Sequence, residues 1–407
     1  MKFSIITPEH QINNVFINEL YDSIKQQSYS NWEWILYLNG KCKPKNIPDN
    51  IKKDNRVKIY EGESHPNIGY LKNKAFCLGD GDILVEVDHD DILAPNCLEE
   101  LNIAFQDESI GFVYSNDLLY DLREKKLPFS SYYGWTYTLE KFRDEEYYKM
   151  DSFPITSHSL SRIWYAPDHV RAWRKTTYHS LGGHNKELPI CDDYELIIRS
   201  YLNTKVKFVP KTLYYYRYLE DSSNTSLQKM TEIQTEMMCI FHKYGYELAE
   251  RETELKNLTK IDISQKYGRR KDYVSFPDDI DITNGIPLPD DSVFIVNAID
   301  ILQKFADPTF AMSEIYRVLC DGGWAFIQVP STDGRGAFQD PSHKSYWNQN
   351  TFWYYTNKHK AQFINNTKIR FQNFRLDTIW QEDNIAITNA WLCAIKSDAK
   401  RPHPIDI

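Results

Sequence analysis

The chain has 407 residues, more than one hydrophobic core comfortably holds, so two domains are expected. Its 42% hydrophobic and 14% aromatic residues are typical of a folded protein and exclude a disordered or fibrous one. The formal net charge of -9 opposes nonspecific attraction to nucleic acid, and no basic run with interleaved aromatics is present. We therefore expect no nucleic-acid partner.

Targeting signals are missing from the sequence pattern. The first residues, MKFSIITPEHQ, lack the apolar stretch of a signal peptide, and no segment approaches the ~18 uninterrupted apolar residues of a membrane span. The seven cysteines are odd in number and contain no CxxC pair, so reduced thiols are expected. These features predict a cytoplasmic protein without a membrane span.

The first half of the chain alternates strand-like and helix-like segments. Apolar runs predict strands at residues 3–7, 32–38, 57–60 and 83–87, and helical spacing predicts helices over 15–24 and 71–78. This alternation predicts an α/β fold with a mostly parallel sheet covered on both faces. Ligands bind beyond the carboxyl ends of such strands, where the loops Thr7-Pro8-Glu9 and Asp88-His89-Asp90-Asp91 are expected.

A second α/β unit follows a polar, largely helical stretch at about residues 226–260, which we interpret as a connector. Strands are predicted over 293–297 and 324–329 and a helix over 309–319, with a turn at Asp321-Gly322-Gly323.

The run ILVEVDHDD places three carboxylates, Asp88, Asp90 and Asp91, at the end of a buried strand. Such a concentration of like charge favours a hard cation such as Mg²⁺ or Mn²⁺, which could stabilise a departing diphosphate. The alternative is a solvated loop in which Asp91 caps the helix near Pro95.

A second acidic pair, Asp192 and Asp193, opens the apparent helix YELIIRSYL. One interpretation is a helix-capping Asp in the first turn. The other is a carboxylate that takes a proton from an acceptor hydroxyl.

Five segments in order resemble the successive signatures of family 2 glycosyltransferases: FSIITPEH, WEWILYLNG, NIGYLKNKAFCLGDGDILVEVDHDD, LGGHNKELPICDDYELIIR and LYYYRYLEDSSNTS. The resemblance covers roughly residues 1–226 and implies a GT-A (Rossmann-like) fold. It also implies an inverting, metal-dependent transfer of a sugar from a nucleotide-sugar, with a UDP-sugar as the first expectation, to an acceptor hydroxyl on a glycan or other molecule.

Carried over by position, the resemblance implies this set of nucleotide-sugar-binding residues: Thr7, Pro8, Glu9, Asn39, Lys72, Asp88 and Asp90. Asn39 would lie near the base edge. Asp88 and Asp90 would be the DxD pair that holds Mn²⁺ or Mg²⁺, with Asp90 the direct ligand and Asp88 nearer the ribose. Asp193 is the implied catalytic base, with Asp192 as its neighbour.

Two features depart from the family pattern. Its late Arg-x-His motif here reads Arg217-Tyr218-Leu219, so a possible metal or phosphate contact is missing. The aromatic-rich insert at 129–153 matches no motif, and either shapes an acceptor site or packs as core, with packing favoured.

The later half of the chain, roughly residues 259–396, resembles a class I S-adenosylmethionine (SAM) methyltransferase, especially those fused behind family 2 glycosyltransferases. Three positions depart from that pattern: Gln265-Lys266-Tyr267 replace the Gly-rich turn, Phe276 replaces the ribose-binding acid, and Gln303-Lys304 replace Glu-His. Asp278 or Asp279 could serve as the acid after a shift. We expect a degenerate fold without SAM binding, in which Asp340 and His343 are structural.

The sequence thus predicts a glycosyltransferase domain at 1–226, a helical connector at 227–258 and a methyltransferase-like domain at 259–407. A bifunctional glycosyltransferase and methyltransferase is the first alternative, and a non-catalytic sugar-binding or scaffold protein the second. The methyltransferase-like domain also offers a surface for a possible homo-oligomer.

Overall fold

The computed structural model describes residues 1–40, 42–120, 134–162, 169–218, 227–265, 268–277, 280–364, 366 and 368–397. Two compact units make up the chain: Met1–Ile155 with Ile163–Phe241, and Thr156–Arg162 with His242–Ile407. Across the described residues, no helix has both the length and the apolar character needed to cross a membrane.

The first unit is built on a mixed sheet. Its strands are β1 (Phe3–Glu9), β2 (Trp32–Leu38), β3 (Val57–Glu61), β4 (Ile83–Glu86), β5 (Ile92–Leu93), β6 (Ile110–Tyr120), β7 (Thr136–Phe142), β8 (Glu145–Asp151), β9 (Arg171–Arg174) and β10 (Lys205–Arg217). The helices up to the end of this unit are α1 (Asn14–Lys25), α2 (Asp49–Lys52), α3 (Ile68–Phe76), α4 (Cys97–Ala104), α5 (Ser159–Arg162), α6 (Lys175–Ser180), α7 (Asp192–Asn203) and α8 (Leu227–Leu255). The segment that contains α5 belongs to the second unit, and α8 runs through the boundary and coincides with most of the predicted connector.

The strand order of this sheet is β3-β2-β1-β4-β9-β6-β10-β5. In addition, β8 pairs with β6, and β7 pairs with β8. The first four strands in this order are parallel, and β9 runs antiparallel between β4 and β6. Every residue of β2 is buried, as expected for a strand covered on both faces. The predicted α/β class is confirmed, but the prediction of a mostly parallel sheet is wrong, because β5, β8 and β9 pair antiparallel with their neighbours.

One predicted loop is part of a strand. β1 extends through Pro8 to Glu9, because β2 pairs with it along its whole length. On its other side, β4 pairs with β1 only as far as Ile6, so the last residues of β1 form an edge there. A proline is tolerated at such a position, where no ladder hydrogen bond is lost. Thr7, Pro8 and Glu9 therefore form the end of a strand rather than a loop after it.

The described part of the aromatic insert forms the β7–β8 hairpin. Trp135, Met150 and Phe153 bury their side chains against Leu119 of β6, which favours packing for this part. Residues 129–133 lie outside the described residues.

The second unit has a six-stranded sheet in the order β12-β11-β13-β14-β16-β15. Its strands are β11 (Thr259–Asp262), β12 (Val274–Ser275), β13 (Val293–Ile299), β14 (Leu319–Pro330), β15 (Phe371–Trp380) and β16 (Ala386–Ala394), and its later helices are α9 (Pro308–Val318), α10 (Gly336–Gln339), α11 (Gln349–Thr356) and α12 (Lys358–Ala361). Strands β11 to β14 are parallel, and β15 and β16 are antiparallel additions at one edge.

The turn predicted at Asp321-Gly322-Gly323 lies inside β14. Val293 pairs with Leu319 and Ile295 pairs with Trp324, so residues 320–323 bulge out of the ladder. Gly322 supplies the positive φ of 78° that this bulge requires.

Ser157 fixes the segment Thr156–Arg162 inside the second unit. Its backbone N–H and its hydroxyl both donate to Glu252 Oε2, at 2.6 and 2.5 Å, and Trp324 Nε1 donates to its Oγ at 2.8 Å. All three residues are buried, so these bonds form away from water, where leaving a polar group unpaired is costly.

Glu33 of β2 ties together the start of the first sheet. Its buried carboxylate accepts hydrogen bonds from four donors: Lys2 Nζ, Ser4 Oγ, Lys58 Nζ and the Asp80 N–H. Burial opposes ionisation, but these donors outweigh it and lower the pKa of Glu33 to about 2. The ionised form therefore stabilises the fold above the ordinary pKa, and this contribution is lost as the pH falls toward the folded-state pKa.

We predict that Glu33→Gln lowers the free energy of unfolding at neutral pH by on the order of 2–3 kcal/mol. The variant should also lose part of the decline in stability between about pH 5 and pH 2. Urea unfolding at several pH values measures both effects. Glu61→Gln is the matched control, since Glu61 makes a surface ion pair with Lys43 and should change stability by less than ~1 kcal/mol. Equal effects of the two substitutions would contradict the prediction.

Candidate functional site

A fully buried carboxylate, Glu86, ends β4. Lys72 Nζ of α3 lies 2.5 Å from its Oε1, and Arg171 of β9 lies 3.6 Å away. Burial raises the pKa of Glu86, but the two cations outweigh it and hold the pKa below its ordinary value. The carboxylate is therefore ionised, which a buried site tolerates only when the charge is paired.

Lys72, a predicted nucleotide-sugar-binding residue, is buried in this cluster. Burial would lower its pKa, yet the carboxylates around it raise the pKa well above the ordinary value; in order of effect they are Glu86, Asp192, Asp88 and Asp193. The ammonium is thus a fixed positive charge among the acids that the sequence analysis singled out.

Asp193 lies in the first turn of α7, beside the same cluster. Arg171 donates to its Oδ2 at 2.7 Å, and the Tyr194 N–H donates to its Oδ1 at 2.8 Å. Burial raises the pKa of Asp193, but Arg171 and then Lys72 outweigh it, so the pKa is lowered. Its side chain is 28% exposed, which leaves an ionised carboxylate within reach of a ligand.

Asp192 differs from its neighbour. It is buried, and its Oδ2 lies 2.8 Å from Nδ1 of the buried His184. Helix α7 begins after Cys191, which has a φ of 59° and makes no side-chain capping bond. Both aspartates lie in the first turn of α7, as one interpretation predicted, and Asp192 is packed against the interior of the unit.

The three acids after β4 have distinct surroundings. Asp91 is buried and accepts hydrogen bonds from Tyr214 Oη at 2.8 Å and from the Arg217 N–H at 2.7 Å. It does not cap α4, whose N-cap residue is Asn96. The helix-cap interpretation of Asp91 is wrong, because β10 supplies the donors that satisfy its carboxylate.

Asp88 and Asp90 are the partly exposed members of this run. Among the described residues, no hydrogen-bond donor contacts either carboxylate; His169 Nε2 lies 3.6 Å from Asp88, and His89 Nδ1 lies 3.9 Å from Asp90. Burial raises the pKa of Asp88, and the charges of Glu86 and Asp90 act in the same direction while Lys72 opposes them. Two adjacent carboxylates without donors are a fitting arrangement for a divalent cation.

Arg217 carries the late motif that departs from the family pattern. Its Nε donates to the Asp90 carbonyl at 2.8 Å, and its guanidinium also pairs with Glu19 of α1 and lies 4.2 Å from the Phe16 ring centre. Arg217 therefore holds the acidic turn in place from the end of β10. Leu219, where the family has a His, lies outside the described residues.

The remaining predicted residues lie at the ends of β1 and β2. The Thr7 hydroxyl accepts a hydrogen bond from Trp34 Nε1 at 3.0 Å and is buried. The Asn39 N–H donates to the Glu9 carbonyl at 2.7 Å, so these two residues are neighbours. Glu9 Oε2 and Asn39 Oδ1 are both buried and have no hydrogen-bond partner among the described residues.

Several residues of this site were missed by sequence reasoning: Glu86, Arg171, His169, His10 and His89. A charged residue inside the apolar run ILVEV was a signal for Glu86, since a buried acid needs a partner. Nothing in the sequence marked Arg171, because its partners lie far away along the chain.

The second unit contains a cleft of about 580 Å³ beside the end of β11. Asp262 accepts hydrogen bonds there from the Ser264 N–H, the Arg270 N–H and Asn297 Nδ2, all within 2.8 Å. Ser264 is buried, and its Oγ accepts from the Ile299 N–H at 2.8 Å. A closed polar network therefore occupies the first loop of this unit.

Two other residues that differ from the methyltransferase pattern line the same cleft. Phe276, which follows β12, and Lys304 both contribute to its wall, and Lys304 Nζ donates to Asp340 at 2.8 Å. His343 Nδ1 lies 2.8 Å from the Ala337 carbonyl, a local contact that favours a structural role. Lys266, Tyr267, Asp278 and Asp279 lie outside the described residues.

Comparison with known proteins finds a family match in each half of the chain. Residues 4–162 match glycosyl transferase family 2, and residues 244–327 match a methyltransferase domain. The chain therefore carries a GT-A-like family 2 glycosyltransferase domain followed by a Rossmann-like methyltransferase domain. The predictions of this fold class and of a family 2 glycosyltransferase enzyme are confirmed at this level.

Two curated relatives cover small parts of longer proteins. The O-antigen biosynthesis protein RfbC of Myxococcus xanthus is 20% identical over 219 residues, which are 53% of this chain and 16% of the relative. The uncharacterized protein y4gI of Sinorhizobium fredii is 26% identical over 98 residues, 23% of this chain and 11% of the relative. The chain thus spans less than a fifth of either relative.

Two solved structures resemble part of this chain, with TM-scores below 0.5. TarS 1-349 of S. aureus in complex with UDP-GlcNAc has a TM-score of 0.46 and 18% identity, covering 63% of this chain and 72% of that one. The mannosyltransferase PcManGT of Pyrobaculum calidifontis, in complex with GDP-Man and Mn²⁺, has a TM-score of 0.45 and 12% identity, covering 62% and 69%.

We predict that Lys72→Met lowers the free energy of unfolding by about 3–5 kcal/mol, because Glu86 would remain as a buried charge with Arg171 as its more distant partner. The double variant Lys72→Met/Glu86→Leu should be clearly more stable than the single variant, since it removes both charges. Denaturant unfolding of the two variants and the parent measures this. A double variant less stable than the single one would contradict the account of the cluster.

Proposed function

We propose that the first unit is an inverting glycosyltransferase that moves a sugar from a nucleotide-sugar to an acceptor hydroxyl. The observation that carries the proposal is the placement of three acids near one another. Asp88 and Asp90 have carboxylates that contact no hydrogen-bond donor among the described residues, and Asp193 is ionised and partly exposed. All three lie at the carboxyl edge of the sheet or at the helix start beside it, and Asp88 and Asp193 both act on the charge of Lys72. Ligands of α/β sheets bind at this edge.

Asp88 and Asp90 are the residues that would hold Mn²⁺ or Mg²⁺. Their donor-free oxygens fit a divalent cation, whereas the satisfied carboxylate of Asp91 does not. When bound, such an ion neutralises negative charge on a departing nucleoside diphosphate. Arg217 and Tyr214 hold the turn that presents the two acids, through the Asp90 carbonyl and the Asp88 N–H respectively.

Asp193 acts as the general base in this proposal. It takes the proton of the acceptor hydroxyl while the acceptor oxygen forms a bond to the anomeric carbon and the bond from that carbon to the diphosphate breaks. The lowered pKa keeps the carboxylate ionised near neutral pH, and Arg171 holds its orientation. One in-line displacement of this kind inverts the anomeric carbon.

The unpartnered Asn39 Oδ1 supports a base-edge role for this residue. A carbonyl oxygen accepts from a ring N–H such as the imide of uracil, so a UDP-sugar is the donor we propose first. Glu9 and Pro8 would lie against the same nucleotide. Thr7 would contribute through the backbone, since its hydroxyl already accepts from Trp34.

For the second unit we propose a structural or docking role without methyl transfer. SAM needs close backbone approach at the first loop and a carboxylate for its ribose hydroxyls. Here the Ser264 side chain fills the loop, and Phe276 follows β12. The two described acids of the cleft, Asp262 and Asp281, already accept hydrogen bonds from protein groups, which supports the proposal.

Two alternatives remain as competing functions. A bifunctional enzyme is favoured by the retained fold and the 580 Å³ cleft. A non-catalytic sugar-binding protein is disfavoured by the placement of Asp88 and Asp193 around the charge of Lys72, which is the arrangement expected of a catalytic site.

We predict that Asp90→Ala abolishes Mn²⁺-dependent binding of UDP, because it removes a ligand of the cation. Asp193→Asn should retain that binding within ~3-fold and reduce transfer by at least ~100-fold, as expected for loss of a general base. Calorimetric titration with UDP and Mn²⁺ measures binding, and release of UDP from a panel of UDP-sugars and acceptors measures transfer. Equal loss of UDP binding in both variants would show that the roles are assigned wrongly.

We also predict that titration of the chain with SAM gives no saturable binding up to ~1 mM. UDP with Mn²⁺, titrated into the same preparation, is the positive control for folded protein. Micromolar SAM binding would support the bifunctional alternative and overturn the proposed role of the second unit.

A further inference from the structure

Three residues outside the predicted DxD pair converge at one edge of the first sheet. Glu9 ends β1, His10 follows it, and His89 lies in the turn after β4. One ligand atom from each lies within 4.8 Å of the other two. The two imidazole rings lie edge to face with centres 4.8 Å apart.

The hydrogen bonding of the Glu9 carboxylate independently supports a cation site. Its side chain is buried, with 1% exposure, and its Oε1 accepts from the Gln11 N–H at 2.8 Å. Its Oε2 is buried and has no hydrogen-bond partner among the described residues. An unsatisfied buried carboxylate oxygen is costly, and a cation at this point would satisfy it.

We propose that Glu9, His10 and His89 bind a divalent transition-metal ion of the Zn²⁺ class in the absence of nucleotide. Two imidazole nitrogens and one carboxylate oxygen are a ligand set that such ions prefer, whereas Mg²⁺ prefers oxygen alone. Tetrahedral ligands at about 2.0–2.1 Å from an ion are about 3.4 Å from one another. Rotation of the two exposed or half-exposed His side chains can close the remaining gap.

The site has room for a further ligand. His10 also lines a cavity of about 540 Å³ together with Gln11, Ile12 and Cys42. Three protein ligands with an open fourth position for water are typical of reactive rather than purely structural metal sites. Asp90 adds negative charge close to Glu9 and His10, which favours a cation further.

This inference goes beyond the proposed glycosyl transfer, because its three ligands differ from Asp88 and Asp90 and it requires no nucleotide-sugar. It also places a metal on the strand end that is proposed to meet the nucleotide. An ion held there and a donor nucleotide would therefore be close neighbours.

The test is titration of the full chain, without a histidine tag and without nucleotide, with Co²⁺ followed by visible absorption and with Zn²⁺ followed by calorimetry. One ion per chain is expected. His10→Gln, His89→Gln and Glu9→Gln should each lower the affinity by at least ~10-fold. Both histidines have partly exposed side chains, so their variants are expected to fold, which the far-UV circular dichroism spectrum checks.

Two matched controls separate this site from other sources of metal binding. His179→Gln removes an exposed histidine of α6 and should leave the affinity unchanged. Asp88→Asn weakens the DxD pair and should change Zn²⁺ affinity by less than ~3-fold, although it impairs Mn²⁺-dependent UDP binding. Unchanged Co²⁺ spectra in both His10→Gln and His89→Gln, or loss of Zn²⁺ binding in Asp88→Asn alone, would overturn the proposal while leaving the glycosyltransferase assignment untouched.

Discussion

The buried carboxylate of Glu86 is the constraint around which the first unit is arranged. A charge inside a protein must be paired, and here α3 supplies Lys72 and β9 supplies Arg171. Because Arg171 also binds Asp193, the same ion-pair network sets the position of α7 relative to β4. Charges of alternating sign thus connect the interior of the sheet to its partly exposed edge.

The acids at that edge divide into buried carboxylates and carboxylates that contact no hydrogen-bond donor. Asp91 is buried and accepts hydrogen bonds from two groups of β10, and Asp192 is buried with its Oδ2 2.8 Å from His184 Nδ1. Asp88 and Asp90 have no donors among the described residues, and neither does one oxygen of Glu9. Protein groups fix the inner acids, and the outer ones are left for a ligand. This division explains why a run of adjacent aspartates contains both structural and candidate binding residues.

For the second unit we propose that the fold has outlasted the features of a SAM site. Residues 244–327 match a methyltransferase domain, and the parallel strands of this unit follow from the apolar patterning of the sequence. The first loop depends instead on a few small residues, and here Ser264 and Asn297 form a hydrogen-bonded network with Asp262. In this proposal, fold and function separate at the level of single side chains.

The sequence alone determined the alternation of strands and helices, the two units and the motif order, because these depend on local periodicity and on residue types at short spacing. It predicted β2 to the residue and α3 within three residues of its observed start. Only the tertiary structure decided which acid meets which cation. Lys72, Glu86, Arg171 and Asp193 are distant in the chain and are brought together by the β1-β4-β9 strand order. Likewise, Asp91 could be read as a helix cap until β10 was placed beside it, since long-range pairing leaves no mark in local sequence.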